Sequence, residues 1–125
     1  DSPLIPAAQK EIAALENKLA IKDYDAGMYY FRRKAYDSGI IYFKGVLEKY
    51  GISPTARDAA LRLVESYKAI HYLDDASDQC AQLRQRSPDD RDVNKVCAGS
   101  PMATVAKPDS VPPPALPATP KPPAP

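Results

Sequence analysis

The stretch YYFRRKAYDSGIIYFKGVLEKYG, residues 29–51, decides the fold of this chain. Its aromatic and apolar residues recur at helical spacing, yet it contains Gly39 and Gly45, and glycine is the poorest helix former after proline. A buried glycine is useful in a helix where a second backbone must come close. The stretch therefore predicts a pair of helices that cross at short distance. We place the crossing at Gly39 and expect Gly45 on an exposed or neighbour-facing side.

Helical periodicity continues along the rest of the chain, and no run alternates cleanly with a period of two. We predict helices over about residues 6–21, 23–34, 37–50, 54 onwards and 74–86, with a short capping helix in RDVNKVC. The intervening loops are short, which favours antiparallel neighbours.

Helix starts are marked by residues that suit the N-cap and the first turn. Asp23 is placed as the N-cap of the second helix. Ser53 precedes Pro54, and proline is tolerated at the first helical position because its missing N–H has no partner there. Asp89 and Asp90 are placed to cap the short final helix.

An internal repeat connects two parts of this helical pattern. Small, aromatic and bulky apolar residues recur 37 residues apart, in the order expected of a 34-residue helix–turn–helix unit with three extra loop residues. The structural positions are Gly27, Tyr30, Gly39 and Phe43 in the first unit, and Tyr67, Ala76 and Pro88 in the second. This is the tetratricopeptide pattern, from which Gly51, Val64 and Cys80 depart. The predicted fold is all-α, a tetratricopeptide-type α-solenoid of antiparallel helix pairs.

The domain organisation follows from the repeat and from the prolines. We predict a helix of a preceding repeat at residues 1–21, one unit at 22–52, and a second unit with its capping helix at 53–98. Ten of the 14 prolines lie between Pro101 and Pro125. Because that segment has no aromatic residue and little charge, we expect residues 99–125 to be a disordered proline-rich tail.

Composition excludes several classes of function. The net charge of +1, with acids and bases interspersed, does not indicate a nucleic-acid-binding protein. No apolar run is long enough to span a membrane. The chain starts at Asp1, from which we expect a mature chain or a fragment whose targeting segment has been removed. The two cysteines, Cys80 and Cys97, either pair in an oxidising compartment or remain thiols in a reducing one.

No catalytic, cofactor-binding or metal-binding site is predicted. The single histidine, His71, lies in an expected turn, and Cys80 lies on an apolar stripe, so a Cys–His pair is disfavoured. DRDVN resembles the start of a calcium-binding loop, but Lys95 and Pro101 occupy the positions that need glycine and glutamate. We therefore expect a protein that is not an enzyme.

A surface is the remaining candidate for function. In a tetratricopeptide unit, four positions of the first helix face the concave groove. The residues at these positions are Tyr24, Met28, Phe31 and Arg32 in the first unit, and Leu61, Glu65, Lys68 and Ala69 in the second. Of these, the candidate partner-binding residues are Tyr24, Met28, Phe31, Arg32, Glu65 and Lys68. Either Tyr24, Met28 and Phe31 form an exposed contact patch, or the preceding helix covers them through Leu15 and Leu19.

A longer stretch, LAIKDYDAGMYYFRRKAYDSGIIYFKGVLEKYGISPTARDAALRLVESYKAI, resembles a known family. Its tyrosine pair, the turn RRKAY, the helix end VLEKY and the segment TARDAALRLVESY are similar, in order and spacing, to the BamD family. These are lipoproteins of outer-membrane β-barrel assembly in Gram-negative bacteria. The likeness covers roughly Leu15 to Pro88. The proline-rich tail departs from the family's usual ending.

The resemblance implies a function that the residues alone do not. It implies a periplasmic scaffold without catalytic activity that docks on a POTRA domain of BamA and on other assembly subunits, and that engages unfolded outer-membrane proteins. It implies membrane attachment only through a lipid anchor outside these residues. The alternatives are another cell-envelope adaptor, acting in division or with peptidoglycan synthesis, and a repeat domain attached to an enzyme.

A solenoid of two units also predicts an exposed apolar face. Each unit needs a neighbour to cover its apolar side. We therefore expect exposed apolar residues on the first helix, where further repeats would stack, with Leu15 and Leu19 among them.

Overall fold

The structure, a computed structural model, describes residues 4–99, and over this range the chain is all-α, as predicted. The five helices are α1 (Leu4–Arg32), α2 (Tyr36–Lys49), α3 (Pro54–Ala69), α4 (Leu73–Arg86) and α5 (Arg91–Val96). Consecutive helices pack against each other, and α3 also contacts α1 and α5. This is a tetratricopeptide-like arrangement of helix pairs. The predicted disordered tail lies outside the described residues, apart from Gly99.

The first helix differs from the prediction. The two helices expected at about 6–21 and 23–34 are one continuous helix of 29 residues. Asp23 is therefore not an N-cap; it lies inside α1 and pairs with Lys49 of α2 at 3.6 Å. No proline occurs between Ala7 and Arg32, so nothing in that stretch forces the helix to end. At about 1.5 Å per residue, α1 is roughly 43 Å long.

The turns between paired helices repeat with the predicted 37-residue offset. Lys34 and His71, which are 37 residues apart, both adopt left-handed backbone conformations, with φ of 61° and 63°. In each turn the next N–H donates to the carbonyl oxygen five residues before it, at 2.9 Å in the first turn and 2.8 Å in the second. The residue before each following helix has nearly the same φ and ψ in the two turns. The repeat is therefore present in the backbone as well as in the sequence.

The close crossing of α1 and α2 lies where the glycines predicted it. A Cβ added to Gly39 would lie 3.3 Å from the carbonyl oxygen of Gly27. The equivalent residue in the second pair, Ala76, is only 2% exposed. Gly45, by contrast, has only the end of the Lys49 side chain within 4 Å. Small side chains at the two crossings thus allow the helix pairs to pack closely.

The central helix α3 supplies much of the core, since it is packed against all four others. Pro54 is its first residue, and Ser53 occupies the N-cap position in an extended conformation, both as predicted. The Ser53 side chain nevertheless makes no capping hydrogen bond, and its buried Oγ has no hydrogen-bond partner among the described residues. The fully buried side chains include Phe43, Leu63, Val46, Val64, Val93, Cys80, Cys97 and Ser66.

The short helix α5 packs against α3 and α4. Asp90 caps it, accepting hydrogen bonds from the N–H groups of Asp92 and Val93. Cys97, directly after α5, forms a disulfide with Cys80 of α4, with a Cα–Cα distance of 5.7 Å. This decides between the two states left open for the cysteines. None of the helices within residues 4–99 combines the length and the hydropathy needed to cross a membrane.

Candidate interaction surfaces

A groove of about 770 Å³ runs between α1, α3 and α5. Its lining consists of one tyrosine, two apolar residues and seven charged residues. They are Tyr24, Arg57, Asp58, Leu61, Arg62, Glu65, Lys68, Asp92, Lys95 and Val96. We call this surface the groove. Helix α3 forms its floor, because successive turns of α3 present Leu61, Glu65 and Lys68 to the same side.

The structure brings half of the predicted contact residues to this groove. Tyr24, Glu65 and Lys68 line it, together with Leu61. Met28 is only 8% exposed and belongs to the core, so it is not part of an exposed patch.

The other two predicted contact residues lie near the end of α1, outside the lining of the groove. Phe31 is half-buried and packs edge-on against Phe43, with ring centroids 6.2 Å apart. The guanidinium of Arg62 lies 5.6 Å from the Phe31 ring centroid. Arg32, the last residue of α1, is exposed.

Arg57 joins the floor of the groove to the start of α5. Its Nε donates to Asp90 at 2.7 Å, and its Nη2 donates to Asp90 at 2.9 Å and to Asp92 at 2.7 Å. Nη1 donates to Asp58 at 2.8 Å. Hydrogen bonds to Asp90 and Asp92 raise the pKa of Arg57, and the same guanidinium lowers the pKa of Asp90 to about 2. Three carboxylates thus surround one cation at this edge of the groove.

The remaining cations on α3 are also engaged. Arg62 donates to Glu65 at 2.9 Å and to the Tyr24 hydroxyl at 3.4 Å, and the bond to Tyr24 is the main cause that raises the pKa of Arg62. Lys68 donates to the backbone carbonyl of Val96, at the end of α5. The polar side chains on the floor are therefore held in place by one another and by α5.

A second surface lies along the first half of α1. Ile5, Ile12, Leu15 and Leu19 are 57%, 54%, 59% and 50% exposed, and their spacing places them on one side of the helix. We call these four residues the α1 stripe. The interpretation in which Leu15 and Leu19 cover Tyr24, Met28 and Phe31 is wrong, since both leucines are themselves exposed. Because α1 is continuous, these residues cannot fold back over its own second half.

Sequence reasoning did not identify a cluster of tyrosines between the second half of α1 and α2. Tyr30 of α1 stacks on Tyr42 of α2 with ring centroids 5.7 Å apart, and Tyr29 meets Tyr30 edge-on at 5.1 Å. The Arg33 guanidinium lies 3.5 Å from the Tyr29 ring centroid. Burial, followed by the neighbouring Tyr30 and Asp23, raises the pKa of Tyr42. The consecutive tyrosines were a visible signal, but the pairing with Tyr42 depends on how the two helices cross.

The groups considered for catalysis do not form a thiol–imidazole pair. His71 lies in the left-handed turn before α4, and Cys80 is bonded to Cys97 and is not a free thiol. Among residues 4–99, no group of three or more histidine, cysteine, aspartate or glutamate side chains could hold a metal ion.

Comparison with known families connects these surfaces to a cellular setting. The model of the YfiO family, described as outer membrane lipoprotein, matches residues 1–83, about two thirds of the chain. The chain belongs to the YfiO family. This is the BamD family that the sequence resembles. The match runs from α1 into α4, so α5 and Cys97 lie beyond it.

Membership in the YfiO family supports association with the outer membrane and a role in its assembly, in a family of scaffolds and not of enzymes. Searches among curated proteins and among solved structures found no match.

Proposed function

We propose that this YfiO-family chain is a helical-repeat scaffold, without catalytic activity, of the outer-membrane β-barrel assembly complex. The observation that carries the proposal is the family match over residues 1–83, which includes both antiparallel helix pairs except the last turn of α4. Its proposed partners are a BamA-like POTRA domain, other subunits of the complex, and unfolded outer-membrane proteins. A lipid anchor outside the described residues would attach it to the membrane.

The α1 stripe supports a scaffold in which α1 packs against a further helical repeat. Four exposed apolar side chains on one side of a helix form a patch that would normally be buried. In a repeat solenoid such a face is covered by the neighbouring unit. We assign the stripe as the surface on which another helical repeat stacks, and α1 as the helix that connects that repeat to the two pairs seen here.

The groove supports contact with a partner protein through charge and one aromatic ring. Its floor presents Glu65 and Lys68, and Tyr24 forms part of one wall. Arg32 lies exposed at the end of the same helix. Charged groups at such a surface contribute mainly to specificity and to the rate of association. We therefore propose Tyr24, Arg32, Glu65 and Lys68 as partner contacts, with Met28 and Phe31 supporting them from beneath.

The disulfide supports placement on the periplasmic side. Disulfides persist in oxidising compartments, which include the bacterial periplasm, and are rare in the cytosol. Cys80 and Cys97 are both fully buried in the bonded form. This agrees with a chain that folds after export.

The test is a binding measurement between the protein and the isolated POTRA domains of a BamA-like partner. We expect one POTRA domain to bind, and Glu65→Arg to weaken that binding at least tenfold. The matched control is Glu48→Arg, the same change at an exposed position on α2 outside the groove, which should leave the affinity within twofold.

The outcomes separate the candidate functions. If no POTRA domain binds, the assembly role is wrong, and the cell-envelope adaptor or the repeat domain of an enzyme becomes the better hypothesis. If a POTRA domain binds and Glu65→Arg has no effect, the assembly role stands, but the groove is not the contact surface.

A further inference from the structure

Helix α5 forms the third wall of the groove, beside α1 and the floor of α3. It is too short to be stable on its own. Helix α5 has six residues, far fewer than an isolated helix needs to be stable in water. Yet it supplies Asp92, Lys95 and Val96 to the lining of the groove. Its position must therefore come from the contacts that fasten it to α3 and α4.

Two non-covalent contacts fasten the start and the middle of α5. At the start, Arg57 binds Asp90 and Asp92; the side chain of Asp90 is 20% exposed, whereas those of Arg57 and Asp92 are 37% and 66% exposed. Ion pairs this accessible to water contribute little to stability. In the middle, Val93 is the only residue of α5 that is fully buried. These contacts orient the helix, but they are few for a segment that must also be ordered.

The covalent contact lies at the other end. Cys97 follows the last residue of α5, and its bond to Cys80 spans 17 residues of chain. The bond also keeps two backbone carbonyls within reach of α3 and α4, since Lys68 donates to Val96 and Arg84 donates to Cys97. Without the bond, the chain after α4 would regain the conformational entropy that closing the loop removes.

We propose that the Cys80–Cys97 disulfide is a redox latch that docks α5 as the third wall of the groove, so that the complete groove exists only in the oxidised chain. This goes beyond the scaffold role and does not depend on the identity of the partner. In the reduced chain, α5 leaves α3, the groove becomes an open face, and Arg57 and Lys68 lose their partners on α5.

The chemistry of the latch is thiol–disulfide exchange with a disulfide oxidant, such as an oxidoreductase or oxidised glutathione. One cysteine thiolate attacks the oxidant to form a mixed disulfide, and the second thiolate displaces the oxidant's remaining thiolate. The two cysteines lose two electrons and two protons, and the oxidant becomes two thiols. Because both cysteines are fully buried in the bonded chain, exchange requires α5 to be undocked.

Amide hydrogen exchange on the full chain, oxidised or fully reduced, tests the latch. The reporters are the N–H groups of Asn94 and Cys97, which donate to Asp90 and Val93 at 3.0 Å and 2.9 Å in α5. A loop of this length predicts that reduction speeds their exchange roughly 100-fold. Amides of α2 and α3, such as those of Val46 and Leu63, should change less than about threefold, because they lie outside the loop that the bond closes.

Two variants separate the effect of the disulfide from that of the reductant and of the ion pairs. The double variant Cys80→Ala/Cys97→Ala should reproduce the reduced chain without added reagent. Arg57→Gln keeps the disulfide and removes the ion pairs, so Asn94 should exchange less than about fivefold faster. Reduction should also speed acylation of Lys68, whose amine is then no longer bound to Val96.

Three results would overturn the latch. Unchanged exchange at Asn94 and Cys97 on reduction would show that α5 docks without the bond. An equal rise in α2 and α3 would show that the bond stabilises the whole fold and does not act on α5. An unchanged acylation rate at Lys68 would show that the groove keeps its third wall.

Discussion

The ring of Phe43 lies directly on the backbone of Gly27, so close that a Cβ on Gly27 would be 2.6 Å from Phe43 Cε1. Phe43 is fully buried, and it also meets Tyr24 and Phe31, with centroids 5.7 Å and 6.2 Å away. One aromatic ring on α2 thus joins two turns of α1 at the crossing. Glycine at position 27 leaves the space in which that ring lies.

Replacing Gly27 by alanine should therefore destabilise the fold. Overpacking of a filled core costs about 1–3 kcal/mol, and the better helix propensity of alanine offsets about 1 kcal/mol of this. We expect a net loss of up to about 2 kcal/mol in the free energy of unfolding, measured by urea denaturation. The matched control is Gly45→Ala, where only the Lys49 side chain lies within 4 Å. That change should stabilise α2 by up to about 1 kcal/mol.

The pairing of Asp90 with Arg57 predicts how stability responds to acid. The pKa of Asp90 in the folded chain is about 2, below its ordinary value near 4, first because Arg57 donates to it and also because backbone N–H groups of α5 do. A lowered folded pKa means that the pairing stabilises the fold above about pH 4. That contribution is lost as the pH falls from about 4 towards 2.

A carboxyl NMR titration measures this directly. We expect Asp90 to titrate near pH 2 in the wild-type chain and to return towards its ordinary value in Arg57→Gln. If Asp90 titrates near pH 4 in the wild-type chain, the contact between α3 and the start of α5 is not formed in solution.

The raised pKa of Tyr67 predicts how the stability of the fold responds to high pH. Burial, with smaller effects of Asp75 and Glu48, raises its pKa to about 12. An unfolded tyrosine ionises near pH 10, so the unfolded chain loses this proton first. The free energy of unfolding should then fall as the pH rises from about 10 through 12. The near-ultraviolet absorbance titration should show a tyrosine that ionises near pH 12 and is lost in Tyr67→Phe. A Tyr67→Phe titration identical to that of the wild-type chain would contradict the assignment.

Because the α1 stripe is exposed, we expect polar substitutions there to leave stability nearly unchanged. Ile12→Gln and Leu15→Gln each alter a side chain that is more than half exposed, so each should change the free energy of unfolding by less than about 0.5 kcal/mol. The contrasting variant is Phe43→Ala, in the core, for which we expect a loss of about 3–5 kcal/mol. A loss above about 2 kcal/mol for the double glutamine variant would mean that another part of the protein already covers the stripe.

The sequence was sufficient for features that depend on local chemistry. Helical periodicity located both ends of α2 and of α4 to within one residue. Pro54 marked the start of α3. The 37-residue spacing predicted two like turns, because residues at equivalent places in a repeat meet the same backbone. Gly39 indicated a close crossing, since only a very small side chain lets two helices approach so nearly.

Tertiary structure decided what depends on residues distant along the chain. Asp23 had the chemistry of an N-cap, but α1 continues past it because helical neighbours on both sides satisfy its backbone, and Lys49 pairs with its side chain. Met28 was predicted for the groove and is part of the core. The bond between Cys80 and Cys97 could not be inferred from their spacing, since it requires α5 to fold back on α4. The sequence by itself thus determined the helices and their repeat through local periodicity, whereas packing between distant helices determined which faces are buried, which stay exposed and where the groove closes.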